Sequence, residues 1–217
     1  CKGMKNRSMV IGIDEVGRGA LCGTVTVAAF AFLRPKGFSK REEGLPLRDS
    51  KRLTPRARKK WFARLKEYAT EGAVAFATAR VSPRVVDRVN LSAAANLAAT
   101  RAYERLVTEK GLRPSNITVL LDGGLFIHPS ATMAPRRART VVRGDERIPE
   151  IRLASIVAKV TRDRAMVRAH AQHPAYGFAA HKGYGTRAHA HALARLGPVK
   201  GLHRLTFIRK FPKVSTA

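Results

Sequence analysis

Short apolar runs rich in β-branched residues alternate with longer segments of helical periodicity along this chain, and the alternation limits the possible folds more than any other feature. Residues 9–13 and 24–33 predict two strands that are separated by a glycine-rich turn. Further strands are predicted at 73–81, 117–121 and 140–142. Strands that alternate with helices after an opening pair of this kind favour an α/β fold, with helices packed on a mixed central β-sheet.

Three long helices are predicted between and after these strands. Thr54 is followed by Pro55, which combines an N-cap residue with proline at the first helical position, and residues of helical spacing follow. An alanine-rich segment at 91–110 predicts the second helix, and Pro149 introduces the third, which continues to about residue 170. These helices supply the layers that cover the sheet.

The length of 217 residues and the hydrophobic fraction of 45% allow the chain to bury a substantial core. We expect a core domain at 9–170. We expect the remainder, 171–217, to form a basic segment of helical or irregular structure that packs on the core and contributes to binding.

The charge is strongly one-sided, because 42 Lys and Arg residues stand against 15 acids, which gives a formal net charge of +27. No acid follows Asp163, so the C-terminal part of the chain is a polycation. Such a surface repels itself unless a polyanion screens it, and nucleic acid is the polyanion we expect. An anionic membrane is the weaker alternative, since no basic amphipathic helix with aromatic anchors is evident.

Two cysteines, Cys1 and Cys22, are too few for a disulfide framework or a four-ligand zinc site, which indicates a reducing compartment. The most apolar stretch, 25–33, is far shorter than the roughly 20 residues that a membrane span requires. We therefore expect a cytoplasmic protein without a membrane partner.

Three carboxylates lie at the ends of predicted strands. Asp14 and Glu15 follow the first apolar run, and Asp122 follows the run at 117–121 just before two glycines. If these strands are neighbours, Asp14 and Asp122 lie side by side and repel each other unless a proton or a cation bridges them. Oxygen ligands without a Cys or His cluster favour Mg²⁺ or Mn²⁺, and a pair of such ions about 3.5 to 4 Å apart suits phosphodiester hydrolysis. The alternative is that these aspartates only cap turns.

Six sequence blocks follow one another in order along the chain. They are Ile13-Asp14-Glu15-Val16-Gly17-Arg18-Gly19, Asp49-Ser50-Lys51-Arg52-Leu53-Thr54, Leu121-Asp122-Gly123, Gly144-Asp145, Ala154-Ser155-Ile156-Val157-Ala158-Lys159-Val160-Thr161-Arg162-Asp163 and His181-Lys182-Gly183-Tyr184-Gly185-Thr186.

The order of these blocks, over about residues 10–207, resembles that of the successive motifs of ribonuclease HII, the type 2 ribonuclease H. The resemblance implies a ribonuclease-H-like fold and a metal-dependent endonuclease that hydrolyses the RNA strand of RNA/DNA hybrids. It also implies incision on the 5′ side of single ribonucleotides embedded in duplex DNA, which leaves 3′-hydroxyl and 5′-phosphate ends.

The resemblance assigns the catalytic metal site, for two Mg²⁺ or Mn²⁺ ions, to Asp14, Glu15, Asp122 and Asp145. Asp163 competes for the fourth position, although it is spaced to pair with Lys159 on one helix face. Consecutive strand residues point to opposite faces, so Glu15 shares a site with Asp14 only if the strand ends there or its side chain reaches around.

The resemblance also assigns substrate binding. Gly17, Arg18 and Gly19 would bring backbone groups to the ribose 2′-hydroxyl, which distinguishes RNA from DNA; the alternative is a tight turn. Tyr184 would stack on the sugar of the nucleotide 3′ to the ribonucleotide, although an isolated tyrosine is more often a core or rim residue. Candidate phosphate ligands are Lys51, Arg52, Lys159, Arg162 and Lys182, any of which can instead be a solvated charge.

Two other functions fit parts of the sequence. A noncatalytic RNA-binding protein of ribosomal type would suit the charge equally well, and it would bind without cleavage. A junction resolvase would share the broad fold, but it would not need a loop that reads the 2′-hydroxyl. The substrates expected for the leading hypothesis are RNA/DNA hybrids and ribonucleotide-containing duplex DNA, bound by a monomer.

Overall fold

The computed structural model describes residues 9–35, 38, 41–42, 45–46, 53–128 and 131–209, with side chains throughout except at 41–42 and 45–46. The five strands of the main sheet are β1 (Met9–Val16), β2 (Val25–Phe32), β5 (Val74–Val81), β6 (Ile117–Asp122) and β7 (Arg137–Val141). Two short strands, β3 (Arg41–Glu42) and β4 (Leu45–Pro46), pair separately.

The main sheet has the order β5-β2-β1-β6-β7 and is mixed, as the sequence predicts. β1 runs antiparallel to β2 and parallel to β6, with Ile13 opposite Leu121. β2 pairs antiparallel with β5, and β6 pairs parallel with β7. The first and fourth predicted strands are therefore parallel neighbours, and their carboxyl ends meet at one edge of the sheet.

Three long helices cover the sheet, and they are the three that the sequence predicts. The helix α1 (Pro55–Thr70) begins at Thr54, whose hydroxyl accepts a hydrogen bond from the Ala57 amide over 3.1 Å. The other two are α3 (Leu91–Glu109) and α5 (Pro149–Gln172). The shorter helices are α2 (Pro83–Val89), α4 (Gly144–Arg147), α6 (Phe178–His181), α7 (Arg187–Leu196) and α8 (Leu205–Ile208).

The two faces of the sheet are separated by the alternation of side chains along each strand. On β2, Val27 and Ala29 point into a core that α3 closes with a row of buried alanines. Ala28 and Phe30 point into the opposite core, which contains residues of α1 and α5 such as Trp61. The sheet is thus a buried middle layer between α3 on one side and α1 with α5 on the other.

Gly12 sets how closely α5 approaches the sheet. A Cβ built at this position would lie 2.2 Å from the backbone carbon of Glu150 and 2.3 Å from the nitrogen of Ile151. Only glycine allows β1 and the first turn of α5 to touch at this distance. The contact places α5 directly beside the strand that carries Asp14.

The structure extends some predictions. β1 continues past residue 13 to Val16, and β7 begins at Arg137 rather than at residue 140, because its exposed arginines at the sheet edge conceal the apolar pattern of a strand. α2 was not predicted, since seven residues are too few to show helical periodicity.

The predicted domain boundary at residue 170 falls inside α5, so the division into 9–170 and 171–217 stays a prediction. None of the described helices is both long and apolar enough to cross a bilayer.

Candidate active site

Three aspartates from three different elements meet at the edge of the sheet. Asp14 lies on β1, Asp122 is the last residue of β6, and Asp145 lies in the first turn of α4. One carboxylate oxygen of each lies within 4.8 Å of those of the other two. The parallel pairing of β1 with β6 brings the first two together, and β7, parallel to β6, leads the chain back to the same edge with Asp145.

Glu15 borders the same site although it follows Asp14 directly on the strand. Its Oε1 lies 3.0 Å from Nη1 of Arg18 in an ion pair, which turns the side chain toward the cavity. Its Oε2 is buried and has no hydrogen-bond partner within the described part of the chain. Glu15 lies outside the group of three described carboxylates that share the 4.8 Å distance.

A cavity of about 310 Å³ opens in front of these carboxylates. It is lined by carboxylates, by the Gly17 to Gly19 loop and by Tyr184. Asp145 is 2% exposed and adjoins the cavity through Asp14 and Asp122. The lining residues are Asp14, Glu15, Val16, Gly17, Arg18, Gly19, Asp122, Ser155, Lys159 and Tyr184.

The electrostatics of the site favour neutralisation of the acids. Burial raises the pKa of Asp14 well above its usual range, and the neighbouring charges of Glu15 and Asp122 raise it further, against a hydrogen bond with Ser155 that lowers it. Burial also raises the pKa of Glu15, which the hydrogen bond and charge of Arg18 partly offset. Burial is the larger cause of both pKa shifts, and repulsion between the carboxylates adds to it.

The donors fit a hard divalent cation. The three clustered groups all offer carboxylate oxygen, and the buried Oε2 of Glu15, which has no hydrogen-bond partner among the described residues, is a further acceptor at the same cavity. Mg²⁺ and Mn²⁺ select carboxylate oxygen over nitrogen or sulfur. The four carboxylates would hold such ions.

The loop of Gly17, Arg18 and Gly19 is fixed from behind by two buried arginines. Gly17 has a φ of +94°, and a Cβ there would lie 2.3 Å from Nε of Arg162. Nη1 of Arg204 donates to the carbonyl oxygen of Arg18 over 2.8 Å. On the cavity side, a Cβ at Gly19 would meet no atom within 4 Å. The backbone of this loop is therefore rigidly held and open toward the cavity.

Arg162 does not face solvent, contrary to its prediction as a candidate phosphate ligand. It is 0% exposed, and its guanidinium donates to the carbonyl oxygens of Thr24, Cys22 and Lys182. Arg204 is equally buried and was not singled out from the sequence, because the partners of both arginines are backbone oxygens far along the chain. Arg162 joins the segment at Cys22 and Thr24 to Lys182 beside Tyr184, and Arg204 joins Arg18 of the glycine loop to Gly23.

Tyr184 reaches the cavity from the C-terminal segment. It pairs with Ala20 in an isolated β-bridge, and the Leu21 amide donates to the Gly183 carbonyl over 2.8 Å. The half-buried ring lies 5.2 Å from the guanidinium carbon of Arg162 and 5.8 Å from Nζ of Lys159. Both cations lie within cation–π distance of the ring, and Tyr184 also lines the cavity.

A second, larger cavity of about 730 Å³ shares Tyr184 and Lys159 with the first. Lys182 lines it, and burial lowers the pKa of that lysine. The charge of Asp163 opposes this shift, and the cations Lys159 and Lys59 add to it. Asp163 lines this second cavity and does not belong to the carboxylate cluster, since its Oδ1 is 2.7 Å from Nζ of Lys159.

Two of the other predicted phosphate ligands, Lys51 and Arg52, lie outside the described residues. The second cavity is also lined by Lys59, Arg164 and Arg168, and it is called the groove below.

A mixed sheet flanked by helices, with clustered carboxylates where parallel strands end, defines the architecture of a ribonuclease-H-like nuclease. Comparison with family models identifies the more specific group: the model of ribonuclease HII matches residues 11–210. The chain belongs to the ribonuclease HII family. It is accordingly an endoribonuclease, a hydrolase of a family that depends on divalent metal and acts on RNA/DNA hybrids.

Solved structures show the same fold. The PCNA:RNase HII complex from Archaeoglobus fulgidus contains a chain with a TM-score of 0.66 and 21% identity, over 90% of this chain and 93% of that one. Ribonuclease H2 from Pyrococcus horikoshii OT3 has a TM-score of 0.64 and 22% identity, over 94% and 96%. Bst-RNase HIII in complex with Mn²⁺ has a TM-score of 0.70 and 20% identity, over 92% and 67%.

Proposed function

We propose that this enzyme incises duplex DNA on the 5′ side of single embedded ribonucleotides, and also cuts the RNA strand of hybrids, leaving 3′-hydroxyl and 5′-phosphate ends. The observation that carries the proposal is the composition of one cavity. Carboxylates line one wall, an open glycine backbone lines the next, and a supported aromatic ring lines the third. We assign metal binding to the carboxylates, recognition of the 2′-hydroxyl to the glycine backbone, and contact with the following sugar to the aromatic ring.

The carboxylates Asp14, Glu15, Asp122 and Asp145 are proposed to hold two Mg²⁺ or Mn²⁺ ions. Bound ions of this kind supply an activated water and stabilise the 3′ oxygen that leaves. The protein contributes the fixed placement of the oxygens, because each aspartate comes from a different, mutually packed element. Arg18 contributes by holding Oε1 of Glu15.

Recognition of the ribose is proposed to fall to the backbone of Gly17, Arg18 and Gly19. Close approach by a sugar requires a backbone without a Cβ on the open side, which Gly19 provides. A 2′-hydroxyl both donates and accepts, so it can use an N–H and a C=O of this loop, whereas deoxyribose cannot. The Arg18 side chain is engaged with Glu15 and Ser92, which favours a role for its backbone in recognition.

Tyr184 is proposed to stack on the deoxyribose that follows the ribonucleotide, because Tyr184 lines both the cavity with the carboxylates and the second, basic cavity. The groove would then carry the backbone of the DNA on the 3′ side, with Lys182 among its phosphate contacts. Tyr184 and Lys182 both come from 171–217, so this segment is proposed to complete the binding site of a monomer.

The test is incubation of the protein with a labelled DNA duplex that contains one ribonucleotide, beside an all-DNA duplex, in Mg²⁺, Mn²⁺ or EDTA. We expect one metal-dependent cut on the 5′ side of the ribonucleotide and none in the control. Asp14→Asn should abolish the cut, whereas Glu109→Gln, an exposed carboxylate on α3, should retain it. Cleavage of all-DNA branched substrates, or tight binding without any cut, would overturn the proposal.

A further inference from the structure

A cluster of buried side chains lies directly behind the Tyr184 loop and is not part of the site described above. Cys22, His189 and His203 are each at most 2% exposed, and a potential ligand atom of each lies within 4.8 Å of the other two. His189 belongs to α7, and His203 pairs with Cys22 in an isolated β-bridge. The cluster could be a metal site or a chain of hydrogen bonds, and the geometry distinguishes the two.

The hydrogen bonds fix where each imidazole carries its proton. The amide of Val199 donates to Nδ1 of His203 over 2.8 Å, so the proton of His203 is on Nε2. That nitrogen lies 3.1 Å from Nε2 of His189 and donates to it. The proton of His189 is then on Nδ1, which donates to the carbonyl oxygen of Tyr184 over 3.0 Å. Every donor meets one acceptor, and the chain ends on Tyr184.

The same directions argue against a metal ion. A metal on Nε2 of His203 would require the proton of the neutral ring to be on Nδ1, where the Val199 amide already donates. Cys22 does not offer a thiolate, because burial raises the pKa of its thiol to about 12. Burial also lowers the pKa of His189 and that of His203, which keeps both rings neutral.

The loop that contains Tyr184, whose carbonyl accepts the last hydrogen bond of the chain, is also held by other contacts. Lys182 and Gly183 have φ values of 51° and 83°, and a Cβ at Gly183 would lie 2.7 Å from Sγ of Cys22. The loop is therefore pressed against Cys22 on one side and bonded to Leu21 on another. Arg162 and His181 bond the loop at Lys182 and Gly183. His189 supplies a further attachment at the carbonyl of Tyr184, which also accepts from the Thr186 amide.

We propose that His189 and His203 are positioning residues that hold the Tyr184 ring at the distance required to select deoxyribose after the cleaved position. The proposal rests on the function proposed for Tyr184. Neither histidine touches substrate, and both act through the main chain of the loop. Their neutral forms are used, with one fixed tautomer each.

The experiment compares His189→Leu with His189→Asn, because the asparagine amide can still donate from the position of Nδ1. The readout is the ratio of kcat/KM for a ribonucleotide followed by a deoxynucleotide to kcat/KM for one followed by a ribonucleotide. We expect His189→Leu to lower this ratio about fivefold or more and His189→Asn to restore most of it. In a Tyr184→Ala background, His189→Leu should leave the ratio unchanged.

Failure of the two proposals can be told apart. If Tyr184→Ala alone leaves the ratio at its wild-type value, the function proposed for Tyr184 is wrong. If Tyr184→Ala lowers the ratio and the folded His189→Leu protein does not, the positioning role is wrong. Nitrogen NMR of the wild-type protein labelled in histidine tests the hydrogen-bond chain without any variant: a proton on Nδ1 of His203, or a tightly held transition metal at the cluster, would overturn it.

Discussion

The backbone amide of Gly144 donates a hydrogen bond to Oδ1 of Asp122 over 2.6 Å. The bond joins the start of α4 to the end of β6, one residue before Asp145. A Cβ at Gly144 would lie 2.5 Å from Cδ1 of Ile151, so the turn also packs closely on α5. The Asp122 carboxylate and the turn that carries Asp145 are therefore joined directly, by a hydrogen bond from the main chain of that turn.

Replacing Asp145 tests whether this turn supplies a fourth metal ligand. We expect Asp145→Asn to lower kcat in Mg²⁺ about a hundredfold or more, because a ligand that offsets transition-state charge is lost. The matched control is Glu146→Gln, the exposed acid next to it in the same turn. Comparable activity of the two variants would remove Asp145 from the site.

A substitution at Gly12 should damage both stability and activity. The Cβ of Gly12→Ala would meet the backbone of Glu150 and Ile151, which cannot rotate away, so α5 must shift from β1. We expect a loss of about 1 to 3 kcal/mol in the free energy of unfolding, measured with urea. Gly124→Ala, where the nearest atom is 4.0 Å from the added Cβ, is the control for stability. An equal change in both variants would contradict the close contact.

Substitutions at Lys182 and at Arg162 should differ in how they change the salt dependence of DNA affinity. If Lys182 contacts a phosphate, Lys182→Gln should reduce the slope of log affinity against log salt for duplex DNA by about one. Arg162→Lys should leave that slope unchanged, because the Arg162 guanidinium is buried on carbonyl oxygens. Titrations by fluorescence anisotropy at several salt concentrations measure both. A reduced slope for Arg162→Lys would show that it reaches nucleic acid.

Acid should weaken the fold through His203. Burial first, and then the charge of His189 with smaller contributions from His173 and His181, lowers the pKa of His203 from 6.5 to about 4. Between these values the unfolded chain binds a proton that the folded chain excludes, so stability falls as pH decreases through this range and is unaffected by His203 above it. We expect a loss of about 1 to 3 kcal/mol in total from this ring.

Urea unfolding at successive pH values measures this loss. His203→Gln should show a shallower decline than the wild type between pH 6.5 and about 4, whatever its stability at neutral pH. Parallel curves for the two proteins would mean that His203 already binds a proton in the folded state.

The sequence was sufficient to predict the strands of the sheet, the three long helices and the placement of Asp14 and Asp122 after apolar runs, because each depends on local pattern. Asp145 was assigned only by the resemblance. Asp122 is the last residue of β6, and Asp14 directly follows the run 9–13 with which β1 begins. Whether these two strands are neighbours was left open by the sequence, and the register of Ile13 with Leu121 shows that they pair in parallel. The resemblance to ribonuclease HII that the motifs carried is confirmed by the family comparison.

The supports of the site could not be predicted in the same way. Arg162 looked like one more basic residue of a basic chain, yet it bonds a carbonyl 140 positions away at Cys22. His189 and His203 carry no local periodicity that separates a buried pair from two solvated imidazoles. Their roles follow only from contacts between distant parts of the chain, which a pattern of neighbouring residues does not record.

The β-bridges of Ala20 with Tyr184 and of Cys22 with His203 have a consequence for synthesis. Contacts of such long range form late, since the ends of a long loop must first meet. On a translating ribosome, the sheet can pair before the cavity is complete, because Tyr184 and His203 follow all five strands of the sheet in the chain. A nascent chain that has not yet reached Tyr184 therefore has the carboxylates and the glycine loop without the aromatic residue that lines the same cavity.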